Sequence, residues 1–87
     1  MKNNEVIETV RTFAEDCDFY GLKNICYVQS DGGSNKASGD NAKNAEELAQ
    51  MMAQLICRAA NKHKITPSIL LMNVELNLKK IGGGSIK

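Results

Sequence analysis

The sequence contains no tryptophan, one proline and one histidine, and it has only two phenylalanines and two tyrosines among its 87 residues. So few aromatic rings leave little on which nucleic-acid bases could stack. General acid–base or nucleophilic catalysis needs a second group held beside the reacting one. Because His63 is accompanied by no H-E-x-x-H, G-x-S-x-G or paired zinc-ligand motif, we expect a protein that is not an enzyme and holds no cofactor or metal.

Long hydrophobic runs and strong net charge are also missing. No apolar run approaches the roughly 18 residues that a membrane-spanning helix requires, and we expect no signal peptide. The formal net charge of +1 is too small to attract nucleic acid or an anionic membrane surface strongly. We therefore expect a cytoplasmic protein with no membrane partner, for which nucleic acid is not the expected ligand.

The three cysteines, Cys17, Cys26 and Cys57, are an odd number without a C-x-x-C motif. This pattern supports neither a complete disulfide framework nor a zinc ribbon. We expect all three to be small core residues in a reducing compartment. A chain this short buries only about 60–65% of its unfolded surface, so its core needs reinforcement. A homo-oligomer is then the expected source of further buried area.

Hydrophobic residues make up 43% and charged residues 24% of the chain, which is typical of a folded soluble protein. We predict a single compact domain over residues 1–81 and a flexible glycine-rich tail over residues 82–87. Residues 1–43 hold five basic and seven acidic residues, a net of −2, and residues 44–87 hold six and three, a net of +3. This mild asymmetry suits an acidic patch that meets a basic one, within a chain or between copies.

The first half predicts a helix and a hairpin. Apolar residues at helical spacing indicate an amphipathic helix over residues 4–19, with Gly21 as its left-handed stop. A strand is predicted for residues 24–30. The glycines after Asp31 then indicate a hairpin turn into a polar edge strand over residues 34–39.

The second half predicts two helices. Asn44 and Glu47 approximate a capping box for a helix over residues 42–62, with Asn41 as an alternative cap. Its polar stripe is narrow, so we expect a central helix that is covered on several sides. The expected interface residues lie on its apolar arc: Leu48, Met51, Met52, Leu55 and Ile56. Its methionines are either gap fillers or the lining of an adaptable ligand pocket.

Residues 68–81 fit two patterns. Met72, Val74, Leu76 and Leu78 alternate with polar residues as in a strand, but the same segment also carries a helical stripe. The start at Thr66-Pro67 and the terminal lysines and glycines favour a helix. The predicted fold class is therefore α+β in the order α-β-β-α-α, with a C-terminal strand as the alternative.

The glycine-rich stretch between the strands invites a second interpretation. It lacks the Gly-Lys-Ser/Thr of a Walker motif, but it carries a lysine and hydroxyls and leads to a helix N-terminus, which attracts anions. We therefore predict an anion or nucleotide site formed by this loop and the start of the second helix. A simple hairpin turn explains the same residues. The predicted ligand-binding residues are Ser34, Asn35, Lys36, Ser38 and Asn44.

A hairpin that ends in Ser-Gly-Asp-Asn at residues 38–41, the Glu46-Glu47-Leu48 helix start and the Ile65-Thr66-Pro67 restart together resemble small uncharacterised phage and prophage proteins. The resemblance covers residues 25–81. It implies a small non-enzymatic binding protein of the host cytoplasm, with an anti-defence role through sequestering a nucleotide signal or blocking a host defence protein. The alternative is a protein–protein interaction or structural module without a small-molecule ligand.

Overall fold

The computed structural model describes residues 3–82, apart from the side chains of residues 3, 4 and 11. A helix is followed by a two-stranded antiparallel hairpin and two further helices, which confirms the predicted α+β order. The elements are α1 Asn3–Phe19, β1 Ile25–Gln29, β2 Lys36–Asp40, α2 Ala45–Lys62 and α3 Pro67–Gly82. Gly82, predicted to begin the flexible tail, is the last residue of α3, and residues 83–87 lie outside the described residues.

Packing divides the chain into two units, where the composition predicts a single compact domain over residues 1–81. Unit 1 is Met1–Met51 and unit 2 is Met52–Lys87, so the boundary falls inside α2. We describe each unit separately.

In unit 1, α1 ends in a Schellman motif. Leu22 N donates to Cys17 O at 2.8 Å and Gly21 N donates to Asp18 O at 3.1 Å. Gly21 has a φ of +70°, the left-handed conformation that this motif requires and that glycine adopts without steric cost. The predicted stop of the first helix is thus confirmed.

The hairpin pairs β1 and β2 in a register that sets Cys26 opposite Gly39 and Val28 opposite Ala37. Ser30 N donates to Asn35 O at 2.8 Å and closes a loop of four residues. Gly32 and Gly33 in this loop have φ values of +94° and +77°. The two glycines therefore supply the positive φ that the sequence predicts for this turn.

The core of unit 1 lies between α1 and one face of the hairpin. Val10 and Cys17 of α1 are 7% and 5% exposed. The backbone of α1 lies against β2 at Gly39, where a Cβ would stand 3.5 Å from Val10 O. Cys26 and Val28, which alternate with the exposed Tyr27, are half-buried. The period of two along the strand places the half-buried pairs on one face of the hairpin.

In unit 2, α2 and α3 are joined by a second Schellman motif. Ile65 N donates to Ala60 O at 3.0 Å and Lys64 N donates to Asn61 O at 3.2 Å. Lys64 has a φ of +59° in the place where glycine is preferred. Thr66 O accepts from both Ile69 N and Leu70 N, which starts α3 with Pro67 at its first position. Residues 68–81 are therefore helical, and the strand alternative is wrong.

Candidate interaction surface

Unit 2 has almost no core in the part that the structure describes. Ala60 is its one buried residue, and neither helix packs along the length of the other. Nine large apolar side chains of this unit are 39% to 84% exposed. We call them the unit 2 apolar surface: Met52, Leu55, Ile65, Ile69, Leu71, Met72, Leu76, Leu78 and Ile81.

The predicted interface residues on α2 are divided between the two units. Leu48 and Met51 are half-buried in unit 1, and Ile56 is half-buried in unit 2. Met52 and Leu55 are 46% and 49% exposed. Within the described part of unit 2, α3 does not pack along α2 and leaves this portion of the helix uncovered. Cover of α2 on several sides, expected from association with another copy, stays a prediction.

One side of α3 carries an open apolar hollow of about 230 Å³. It is lined by Leu70, Asn73, Val74, Asn77, Leu78 and Ile81. All six residues belong to α3 itself, so this hollow is a helix surface to which α2, the other helix of unit 2, contributes no residue. Asn77 Nδ2 donates to Asn73 O at 2.8 Å, so the amide at the hollow's edge is already bonded to its own helix.

The four predicted ligand residues of the hairpin do lie on one element. Ser34, Asn35, Lys36 and Ser38 are all exposed around the turn and along β2. Ser34 Oγ lies 3.2 Å from Ser30 Oγ, which also accepts from Asn35 N at 3.0 Å. The hydroxyls of Ser30 and Ser34 therefore form hydrogen bonds within the turn. Lys36, which follows the turn, supplies the cationic group of this hairpin.

The structure does not place Asn44 beside the four predicted ligand residues of the hairpin. Strand β2 separates Lys36 from Asp40 by about 13 Å at 3.3 Å per residue. The start of α2 lies at the base of the hairpin, because the Glu47 carboxylate lies 3.0 Å from Lys23 Nζ. The predicted anion site shared by Lys36 and the α2 N-terminus is therefore not formed.

The N-terminus of α2 also carries a cap and a carboxylate of its own. Asn44 Oδ1 accepts from Glu47 N at 2.8 Å, which confirms the predicted cap. The Glu47 carboxylate accepts from Lys43 N at 2.8 Å. This backbone hydrogen bond, followed by the Lys23 ammonium, holds the pKa of Glu47 below its usual value of 4.5. The chain's own carboxylate thus lies at the positive end of the helix, where its negative charge disfavours an external anion.

Asn41 has a structural role that the sequence did not reveal. Its Oδ1 accepts from Asn24 N at 2.7 Å, and its Nδ2 donates to Asp18 Oδ1 at 3.0 Å and to Leu22 O at 2.8 Å. The side chain thereby joins the C-terminal turn of α1 to the base of the hairpin. It is not the cap of α2, the alternative that its position before the helix suggested.

The cysteines are free and differ in environment. Cys17 is buried and Cys26 is half-buried, but Cys57 is exposed, so the expectation of three core cysteines is wrong for Cys57. Cys57 lines an open groove of about 480 Å³ in unit 2, together with Gln54, Arg58, Asn61, Ile65 and Pro67. Arg58 is the one cation in this groove.

The grouping of metal-ligating side chains and the length of the helices can be described for residues 3–82. Among these residues, no three His, Cys, Asp or Glu side chains are grouped so that they could hold a metal ion. No helix in the described part of the chain is long and apolar enough to cross a membrane. Comparison with protein-family models, with curated proteins and with solved structures found no match to this chain.

Proposed function

We propose that this protein is a non-enzymatic homo-oligomeric binding protein, which assembles through the unit 2 apolar surface and acts by occupying a target. The observation that carries the proposal is the exposure of that surface along α3 and the adjoining part of α2. Contiguous apolar patches beyond a few hundred Å² are rare on monomeric soluble proteins and mark interaction sites.

The nine side chains of the unit 2 apolar surface lie on more than one side of the helices, and together they expose an area of the order that one subunit interface buries. A fully exposed residue of this size presents about 200 Å², so the nine side chains present on the order of 900 Å². A stable protein–protein interface buries about 800 Å² on each partner. Obligate subunit interfaces are also the more hydrophobic class, which agrees with a surface made of leucine, isoleucine and methionine.

The identity of the target is the finer part of the proposal. We extend it to a phage-encoded anti-defence factor in the host cytoplasm, which binds either a nucleotide signal or a host defence protein. The exposed Lys36, with Ser34, Asn35 and Ser38 on the same hairpin, supports an anionic ligand, since an ammonium group and hydroxyls suit phosphate oxygens. The alternative remains an interaction module without a small-molecule ligand.

Sedimentation of the full chain tests the assembly. We expect a mass that is a multiple of 9.5 kDa at micromolar concentration. Leu55→Lys should lower the mass, because an unpaired ammonium in a dry interface is costly. Gln54→Lys is the matched control, since it adds the same charge to the exposed polar stripe of α2. A wild-type chain that sediments as a single copy would refute the proposal.

Calorimetry separates the two target classes. Titration with cyclic and ADP-ribose-type nucleotides should release heat if the ligand is a nucleotide signal, and Lys36→Glu should abolish it through charge repulsion. Ser68→Glu places the same charge on an exposed residue of α3, in the other unit, and should bind as the wild type does. No heat across the panel favours the interaction module. Unchanged affinity in Lys36→Glu would reject the hairpin site, and the methionine-bearing helix face would become the better candidate.

A further inference from the structure

Helix α3 carries two apolar faces instead of one. At 100° per residue, Ile69, Met72 and Leu76 fall on one side and form what we call the narrow face. The opposite side, which we call the broad face, comprises Leu70, Leu71, Val74, Leu78 and Ile81. An ordinary surface helix has a single apolar stripe that faces the core.

Two polar rows separate these faces. One row is Ser68, Glu75 and Lys79, and the other is Asn73, Asn77 and Lys80. All six side chains are exposed. Each row is only one residue wide around the helix, which is the pattern of a helix that is covered on two sides and meets solvent along two edges.

Neither face is fully covered by the described residues of unit 2. Ile69, Met72 and Leu76 of the narrow face are 51%, 61% and 53% exposed. On the broad face, Leu70 and Val74 are half-buried, but Leu78 and Ile81 are 50% and 84% exposed. The apolar hollow of about 230 Å³ lies on this broad face.

We infer that each face of α3 packs, across a two-fold axis of its own, against the same face of a different further copy of this chain, so that the assembly contains at least four copies. The inference rests on the proposed function and specifies how many interfaces it uses. Two such interfaces generate an even-numbered closed assembly, of which four copies is the smallest.

The character of both faces favours copies of the chain over an occasional partner. A helix that is apolar on two sides needs cover whenever the protein is present, and a second copy is always present at matching concentration. The row that contains Glu75 carries both signs of charge, with Lys79 one turn further on. Such a mixed edge complements an identical edge, whereas a strongly charged partner would call for one sign.

Sedimentation equilibrium of the full chain and of α3 variants tests this arrangement. We expect the wild type to have four times the 9.5 kDa chain mass or a larger even multiple. If the assembly is the smallest closed one, Met72→Lys on the narrow face and Leu78→Lys on the broad face should each reduce it from four copies to two. The double variant should be a single copy. Ser68→Lys is the matched control, because it adds the same charge to the exposed polar row that does not border the hollow, and it should keep the wild-type mass.

The outcomes distinguish this inference from the function on which it rests. A single-copy wild type contradicts the proposed function, whereas a two-copy wild type leaves it standing and overturns the second interface. A fall from the wild-type mass straight to single copies in either single variant also overturns the inference, because the two faces would then form one common interface. Where circular dichroism shows that a lysine variant has lost helix, glutamine at the same position, a good helix former, gives the same test.

Discussion

The two units of this protein contain similar apolar residues but bury them to different extents. Unit 1 covers Val10 and Cys17, because the hairpin folds back against α1 and Asn41 ties the two together. Unit 2 is at least as rich in leucine, isoleucine and methionine, yet within its described residues it buries only Ala60. Apolar content therefore does not locate a core, since a core needs a second layer of structure to cover it.

The largest contrast is expected from one aspartate placed in each unit. Val10→Asp puts a carboxylate into the covered core of unit 1 and should destabilise that unit by about 3 kcal/mol at any protein concentration. Leu55→Asp should leave unit 1 intact and lower only the assembly mass. Both tyrosines lie in unit 1, so tyrosine fluorescence during urea unfolding follows that unit alone.

A suitable control for this contrast is Thr9→Asp, which adds the same charge at an exposed site one residue earlier on α1. It should shift the urea midpoint far less than Val10→Asp. If Val10→Asp and Thr9→Asp lower the urea midpoint equally, unit 1 has no more of a core than unit 2.

The two Schellman motifs should respond in opposite directions. Gly21→Ala in unit 1 introduces a Cβ at a φ of +70° and should destabilise by about 1 kcal/mol, although nothing lies within 4 Å of that Cβ. Lys64→Gly in unit 2 relieves the same strain at a φ of +59° and should stabilise by up to about 1 kcal/mol. Thermal unfolding at fixed concentration measures both, and changes of the same sign would contradict the shared geometry.

The cap of α2 gives an effect of similar or smaller size. Asn44→Ala removes the hydrogen bond of 2.8 Å to Glu47 N and should destabilise unit 1 by about 1 kcal/mol. Asn44→Asp keeps an acceptor oxygen and should retain most of the stability. Urea unfolding followed by tyrosine fluorescence checks this, and equal losses in the two variants would show that the cap contributes nothing.

The smallest expected effect is the decrease in the stability of unit 1 as the pH is lowered. The pKa of Glu47 is held below 4.5 in the folded chain, first by the hydrogen bond from Lys43 N and then by Lys23. The stabilisation is therefore present above pH 4.5 and is lost as the pH falls through the lowered value. Thermal unfolding measured from pH 6 to about pH 3 should show this loss of stability in the wild type and not in Glu47→Gln. Parallel profiles for wild type and variant would contradict it.

Features that depend on neighbouring residues were predicted correctly, whereas the wrong predictions concern contacts between residues whose positions depend on the tertiary structure. The left-handed stop at Gly21, the glycine turn and the Asn44 cap depend on neighbours within six residues, and all three are present. The proposed link between Lys36 and Asn44 depended on where a strand points, and β2 carries them apart. The alternative of Asn41 as the cap is wrong for the same reason, because its partners Asp18 and Asn24 are more than 15 residues away in the chain.

The sequence by itself determined the order of helix, hairpin and two helices, because capping residues, glycines and apolar periodicity act over one or two turns of chain. It also determined that α3 would be a helix, since the Thr66-Pro67 start outweighed the alternating pattern. Only the tertiary structure decided which apolar residues are covered. Val10 is buried and Leu76 is not, although both are apolar residues on amphipathic helices, because burial depends on which distant elements come to lie against them.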